Sequence, residues 1–462
     1  MLKKLCFLLG VTLLVSCSEK DEFSDPSLEN VNAISAKLNE NVLLLHNSKL
    51  ANSNGDEGMA YDEETGVMQM SLESVEMAEY KIENTSILSV DLDTLAVLRK
   101  VAKVDTIGDI INVHTEETDF EEVFRDADFE LVSDMTEDVD LKTASTIQEI
   151  NEALRDGNKI HPARVIYHMP EGRIVRSVFN DEQIDGVEMF GNTKKTISIN
   201  FSKKIENYTL FEKSEQITNE ETGESYSEKS GIYLTSGEIN YGADFSLKTK
   251  VKWFKLRKFE FSVSPHVFAE ANFLMRYAKS YTREDEIKLM NNVFKRTFIY
   301  YVGACVLAIT VDTDIMAAYK VESNGFLQCT AGFNASISSK FGAKYKRKKG
   351  WSAINEFEFN KELYTPQFMG EVNANLRAEI FPRTKAKICG VNGITIDMVP
   401  YVNTEIHGSF LNTKVDGSVE MSMGLDARIN AKVKIAKKNL GGFEKEYQIV
   451  KPIVLFDETY SN

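Results

Sequence analysis

Between residues 419 and 435 every second residue is apolar: Val419, Met421, Met423, Leu425, Ala427, Ile429, Ala431, Val433 and Ile435. Successive side chains of a strand point to opposite faces, whereas a helix would scatter the same positions around its circumference. The stretch is therefore expected to be β, with one face buried and one wet. At ~3.3 Å per residue it would span roughly 55 Å, close to three times the usual ~5–6 residues of a strand. Such a length implies a long coiled sheet or a hairpin with an unobvious turn near Gly424. The same rhythm recurs in Phe245, Leu247, Val251 and Trp253, in Phe333, Ala335 and Ile337, and in Val372, Ala374, Leu376, Ala378 and Ile380. Polar residues fill the alternate positions. The expected class is mainly β: elongated antiparallel β-sandwiches with long amphipathic strands and a few short helices.

Charge divides the chain. Its formal net charge is −16 over 462 residues. Residues 1–230 hold 46 Asp/Glu against 22 Lys/Arg, and residues 231–462 hold 24 against 32. The overall acidity disfavours a nucleic-acid binder. The boundary falls in a polar run, 203–231, which contains Asn219-Glu220-Glu221-Thr222-Gly223 and reads as a linker or a long hairpin loop. The expected organisation is 31–202 as an acidic β-rich domain with short helices, then that linker, then 232–462 as a basic antiparallel β domain.

The N-terminus reads as an address. Lys3 and Lys4 precede an apolar run, 5–15, too short to span ~30 Å of hydrocarbon as a helix. Leu14-Val15-Ser16-Cys17 then resembles a lipobox, with residues 1–16 as the signal peptide and Cys17 as the acylated mature N-terminus. The next residues, Ser18, Glu19, Lys20, Asp21 and Glu22, open an acidic tether (17–30). They are similar to the export signal of Bacteroidota-type surface-exported outer-membrane lipoproteins. The resemblance implies an outer-membrane protein held by lipid and facing the cell exterior. A plainer reading of the acidic run is a solvated spacer. Only Cys305, Cys329 and Cys389 remain, too few and too odd in number for a disulfide framework. Their apolar neighbours suggest buried thiols.

Local patterns fill in the first half. Val31, Ile34, Leu38, Val42 and Leu45 have helix-like spacing over 31–47. Residues 97–104 and 110–115 read as paired strands about a turn, and Phe120, Val123 and Phe124 share a helical face. Ser145-Thr146-Ile147-Gln148 resembles a capping box opening a helix that Gly157 can stop. The segment from Val104-Asp105-Thr106-Ile107-Gly108-Asp109 through Thr115-Glu116-Glu117-Thr118-Asp119-Phe120-Glu121-Glu122-Val123-Phe124 resembles a recurring piece of large, uncharacterised bacterial cell-surface β-proteins. The stretch 373–407, with Ile394-Thr395-Ile396-Asp397-Met398-Val399-Pro400-Tyr401, is similar to their C-terminal part. The likeness implies a surface β-protein and transfers no activity.

No motif for nucleophilic, phosphate or zinc chemistry stands in the chain, and its six histidines are scattered. No catalytic residue, resident metal or cofactor is assigned. Asp126-Ala127-Asp128 and Asp312-Thr313-Asp314 offer oxygen ligands, but neither continues into a calcium loop, so structural calcium is a minor alternative. The sharpest local feature is Lys344-Tyr345-Lys346-Arg347-Lys348-Lys349-Gly350-Trp351. Lys344, Lys346, Arg347, Lys348, Lys349 and Trp351 are the candidate contacts for an anionic ligand. The plainer reading is a charged hairpin tip whose repulsion keeps a strand edge from pairing.

The expected function is a non-enzymatic, lipid-anchored cell-surface protein for binding, adhesion or structure. Its expected partners are membrane lipid through the anchor, and anionic glycans or other surface proteins. Two alternatives stand beside it. One is an extracellular glycan-acting hydrolase with unmarked carboxylates. The other is a lipid-handling or membrane-inserting β-protein, for which long amphipathic alternation is a requirement.

Overall fold

The computed structural model describes residues 36–46, 59–77, 79–92, 96–133, 154–168, 174–178, 201–218, 225–277, 281–303, 305–389, 391–411, 414–431, 434–435, 438–439 and 443–461. Cys17, the acidic run Ser18, Glu19, Lys20, Asp21 and Glu22, the Asn54-Gly55 turn and the capping box at Ser145 lie outside the described residues. Residues 36–462 form one compact unit.

In chain order the first strands are β1 (Lys37–Leu38), β2 (Val42–His46), β3 (Met59–Asp62), β4 (Val67–Ser71), β5 (Ile87–Asp91), β6 (Ala96–Ile107), β7 (Ile110–Glu117) and β8 (Phe124–Val132). Four short ones follow: β9 (Arg155–Asp156), β10 (Lys159–Ile160), β11 (Arg164–His168) and β12 (Ile174–Val178). The long strands are β13 (Phe201–Thr218), β14 (Ser225–Lys252), β15 (Leu256–Tyr277), β16 (Tyr281–Val302), β17 (Cys305–Lys346), β18 (Gly350–Ile388), β19 (Val391–Leu411) and β20 (Lys414–Ala431). Then come β21 (Lys434–Ile435), β22 (Lys438–Asn439) and β23 (Phe443–Ser461). The described helices are short, α1 (Leu72–Met77) and α2 (Phe120–Val123). The fold is mainly β, as the alternation requires. Most pairs are antiparallel, but β2–β5 and β8–β10 are parallel.

A six-stranded sheet, in the order β2-β5-β6-β7-β4-β3, has its own apolar core of Leu45, Met68, Met70, Val75, Leu88, Val90 and Val113. Strands β21 and β22 pair only with each other, and the rest belong to a fifteen-stranded sheet. Its spine is β17, 42 residues long, which pairs with β18 along one edge. Along the other edge lie β16, opposite residues 305–323, and β15, opposite 327–346. Strands β19, β20 and β23 continue beyond β18, while β14 continues beyond β15. The period-two stripe of β20 is buried from Val419 to Ile429 in one strand without a turn. Gly424 stands opposite Tyr401, and a Cβ there would collide with the tyrosine ring.

The large sheet folds so that β16, β17 and β18 face β8, β13 and β14 across an apolar core. Phe245 of β14 meets Phe298 of β16 edge to face at 4.8 Å, and Phe211 of β13 lies 6.4 Å from Tyr319 of β17. Buried hydroxyls also cross: Tyr241 of β14 with Thr384 of β18 at 2.6 Å, and Tyr300 of β16 to the Val132 carbonyl of β8 at 2.8 Å. None of these are ladder neighbours, so they are contacts between layers of a sandwich. Burial pushes the Tyr241 phenol up to about 12. The six-stranded sheet covers the outer side of β16 and β17, where Ala96 joins Ile299, Tyr301, Val306 and Ala308.

Two local expectations change. The described part of the expected helix, residues 36–46, holds β1, a turn and β2 instead. In β2, Leu43 and Leu45 face the small sheet's core while Leu44 packs toward β16 and β17. A strand between two apolar layers loses its polar face, and helical spacing then fits equally well. Of the run 203–231, expected as a linker or loop, residues 203–218 belong to β13 and 225–231 to β14, and the two strands pair antiparallel. Their polarity reflects position, because β13 pairs β14 alone and Lys203, Lys204, Glu206 and Glu212 face water. Through β8, β10 and β11 the acidic half contributes strands to the same large sheet as the basic half.

Candidate functional site

Two hairpin turns meet at one end of the large sheet. The β17–β18 turn is built by the basic run: the Lys349 amide donates to the Lys346 carbonyl at 2.9 Å, and Gly350 takes φ +73°. Beside it is the β14–β15 turn, closed by the Lys252 amide donating to the Lys255 carbonyl at 3.0 Å. The ladder sets Lys258 opposite Lys346 and Phe259 opposite Tyr345. The Arg347 amide then donates to the Arg257 carbonyl at 3.1 Å, which ties the turns together.

The β14–β15 turn is strained and held. Trp253 and Phe254 adopt φ +53° and +55°, a left-handed conformation costly for bulky side chains. Three anchors from the preceding acidic segment fix it. The Trp253 amide donates to Asp126 Oδ1 at 3.2 Å. The Phe254 amide donates to the Arg125 carbonyl at 3.0 Å. The Leu256 amide donates to Glu121 Oε1 at 2.7 Å. The left-handed pair ends the alternation that buries Phe245, Leu247 and Val251, so Trp253 is 60% exposed and Phe254 42%. Trp253, expected on the buried stripe, is therefore on the surface. The Arg125 guanidinium stands 5.5 Å from its ring centroid.

Charge at this end is unbalanced. Lys252, Lys255, Arg257, Lys346, Arg347 and Lys348 are exposed and enter no ion pair among the described residues. Lys349 is exposed beside them. Further along the strands the cations are matched. Lys248 and Lys250 sit opposite Glu130 and Asp128 of β8 and pair with them at 3.2 and 2.9 Å. Lys258 and Lys344 share Glu260 at 3.1 and 4.0 Å. On these strands the unmatched cations thus cluster at the two turns that the Arg347–Arg257 backbone bond ties together.

Of the candidate contacts, Lys346, Arg347, Lys348 and Lys349 are together at the tip. Lys344 sits one ladder step back, half-buried and shared with Glu260. Trp351 is not an open platform. Its ring lies 5.4 Å from Tyr345 and 6.3 Å from the buried Phe259, bracing the base of the turn. The exposed aromatics of the two turns are Trp253 and Phe254. Lys252-Trp253-Phe254-Lys255-Leu256-Arg257-Lys258 carries the same mixture of cations and rings as 344–351, and that density is the signal by which sequence reasoning can find it.

Three carboxylates of the two pairs are engaged elsewhere, while Asp312 is buried with its Oδ1 lacking a hydrogen-bond partner among the described residues. Asp126 and Asp128 serve Trp253 and Lys250. Asp314 accepts from Lys385 at 2.7 Å, Lys288 at 3.1 Å and the Asn292 amide at 2.9 Å. No group of three or more His, Cys, Asp or Glu side chains able to hold a metal occurs among the described residues. On the outer face of β18–β20 the buried carboxylates of Glu379, Asp397 and Asp426 are bound by Arg377, Arg383 and Arg428. The three cysteines are free, and burial pushes the Cys305 and Cys329 thiols up to about 12 and that of Cys389 to about 11. No described helix is long and apolar enough to cross a membrane. No protein-family model, curated protein or solved structure matches this chain.

Proposed function

We propose that this chain is a non-enzymatic, lipid-anchored surface protein that binds anionic ligands through its paired turns. Cys17 is the proposed acylation site. Ser18, Glu19, Lys20, Asp21 and Glu22 are the proposed signal for display on the outer face of the outer membrane. One observation carries the binding role: six exposed cations without ion-pair partners among the described residues gather on two turns, while the lysines behind them are neutralised by β8 and Glu260. A tip serving only to blunt a strand edge has no need of a second cationic turn hydrogen-bonded to the first. The buried carboxylates of Asp314, Glu379, Asp397 and Asp426 are bound by arginine or lysine, which leaves these four poorly placed for the free acid and base of a glycosidase.

The test is binding of a soluble sulfated polysaccharide to residues 28–462, which contain the whole compact unit and lack Cys17. Binding should be strong at 0.05 M salt and nearly abolished at 1 M, where the Debye length is only ~3 Å. Replacing Lys346, Arg347 and Lys348 by Gln should abolish it at 0.15 M salt. Binding that survives this replacement would overturn the proposal.

A further inference from the structure

Resting on that reading, we infer that the tip's ligand is an anionic phospholipid bilayer, into whose interface Trp253 and Phe254 insert. Exposed lysines and arginines alone would suit any polyanion. The aromatic pair narrows the choice. Two consecutive bulky rings are held at left-handed φ, with three anchors on Glu121, Arg125 and Asp126 fixing the turn. The consequence is an apolar point at a turn, where an ordinary soluble hairpin carries Gly, Asn or Asp. Arg125 over the Trp253 ring occupies one of its faces, which a stacking sugar would otherwise use.

A bilayer matches this arrangement in both chemistries. Its anionic headgroups attract each nearby cation with about a fivefold gain in partitioning. The interfacial zone beneath them is where Trp is enriched in membrane proteins. The turn-forming residues are the rings, and the cations at 252, 255, 257 and 346–348 flank them in the chain and across the ladder. That order suits rings entering below the headgroups while the ammonium and guanidinium groups stay level with the phosphates.

The chain has two tryptophans, so Trp351→Phe in residues 28–462 leaves Trp253 as the sole reporter. Vesicles of phosphatidylglycerol and phosphatidylcholine in equal parts, pure phosphatidylcholine vesicles, and a soluble sulfated polysaccharide are each titrated into it. The expected result is a blue shift of Trp253 emission with the mixed vesicles and quenching by lipid brominated on its acyl chains. Partitioning into pure phosphatidylcholine should be weaker by at least about two orders of magnitude, the gain from as few as three engaged cations. Trp253→Asn with Phe254→Asn, in the chain retaining Trp351, should reduce sedimentation with mixed vesicles at least about thirtyfold. Asparagine tolerates the left-handed conformation, and unchanged circular dichroism will verify the fold. Polysaccharide binding without vesicle binding would overturn the bilayer inference and leave the polyanion reading standing. Vesicle binding with no change in Trp253 emission would also overturn it, because contact would then be electrostatic only. Failure to bind either probe would overturn both.

Discussion

Arg383→Met should unmask the cost of a buried carboxylate on the outer face of the large sheet. Arg383 of β18 grips Asp397 of β19 with three hydrogen bonds, Nε to Oδ1 at 3.0 Å and to Oδ2 at 3.1 Å, and Nη2 to Oδ2 at 2.7 Å. It also holds the exposed Glu286 of β16 at 2.7 and 3.0 Å. Asp397 is only 4% exposed. Burial raises its carboxyl above the ordinary range, and the Arg383 hydrogen bonds pull it partway back. Without the guanidinium the charge stays buried with only the more distant Arg428 to offset it, and breaking such a pair costs about 3–5 kcal/mol. The lower end applies here because Arg428 remains, and losing the exposed Glu286 contact adds little. The pH dependence follows from linkage. A carboxyl whose folded pKa lies above its unfolded value binds its proton more tightly when folded. The penalty is therefore small below pH ~4, near the unfolded value, and grows as pH climbs through the raised folded pKa. Urea denaturation followed by circular dichroism should show a loss of about 3 kcal/mol at pH 7.5 and about half that or less at pH 4.5. Arg383→Met combined with Asp397→Asn removes both charges and should recover most of the loss. A single variant costing under about 1 kcal/mol at pH 7.5, or a double variant no better than the single, would refute the reasoning.

Gly408 has φ +120° and stands opposite Gly417, and a Cβ on it would overlap the Asp416 carbonyl oxygen. Gly408→Ala should cost about 2 kcal/mol or more, read as a lowered urea midpoint. Cys305 and Cys329, with thiols at about 12, should react with Ellman's reagent at pH 8 some thousandfold or more slowly than a free cysteine of pKa ~8.5, and rapidly only in denaturant. Lys248→Gln with Lys250→Gln should leave polysaccharide binding within about twofold, since both cations are already matched by β8. Cys17→Ala should abolish radiolabelled palmitate incorporation and release the protein from the membrane fraction; retention there would count against lipidation.

The β class was legible because period two is a local property: each residue's face follows from its neighbours whatever the strand pairs with. Val419 to Ile429 needed no tertiary knowledge to be placed in a core. Where a strand lies between two apolar layers, as Leu43, Leu44 and Leu45 do, local pattern fails and helix fits as well. It fails again at an open edge such as β13, whose polar residues look like linker because backbone pairing, not side-chain burial, makes them strand. The basic run at 344–349 announced itself by composition alone, whereas the cations around Trp253 went unread because Trp253 continues the apolar alternation of Phe245, Leu247 and Val251. That the two form one site depends on ladder register. Lys258 lies opposite Lys346, nearly ninety positions away in the chain, and only the paired backbone brings them together. Charge shows the same division. Summed along the chain it separates an acidic half from a basic half, yet β8 sets Glu130 and Asp128 against Lys248 and Lys250 across one ladder. Which cations are neutralised and which stay available is decided by that pairing, because Coulomb energy depends on distance in space and screening removes it beyond a few ångströms of water.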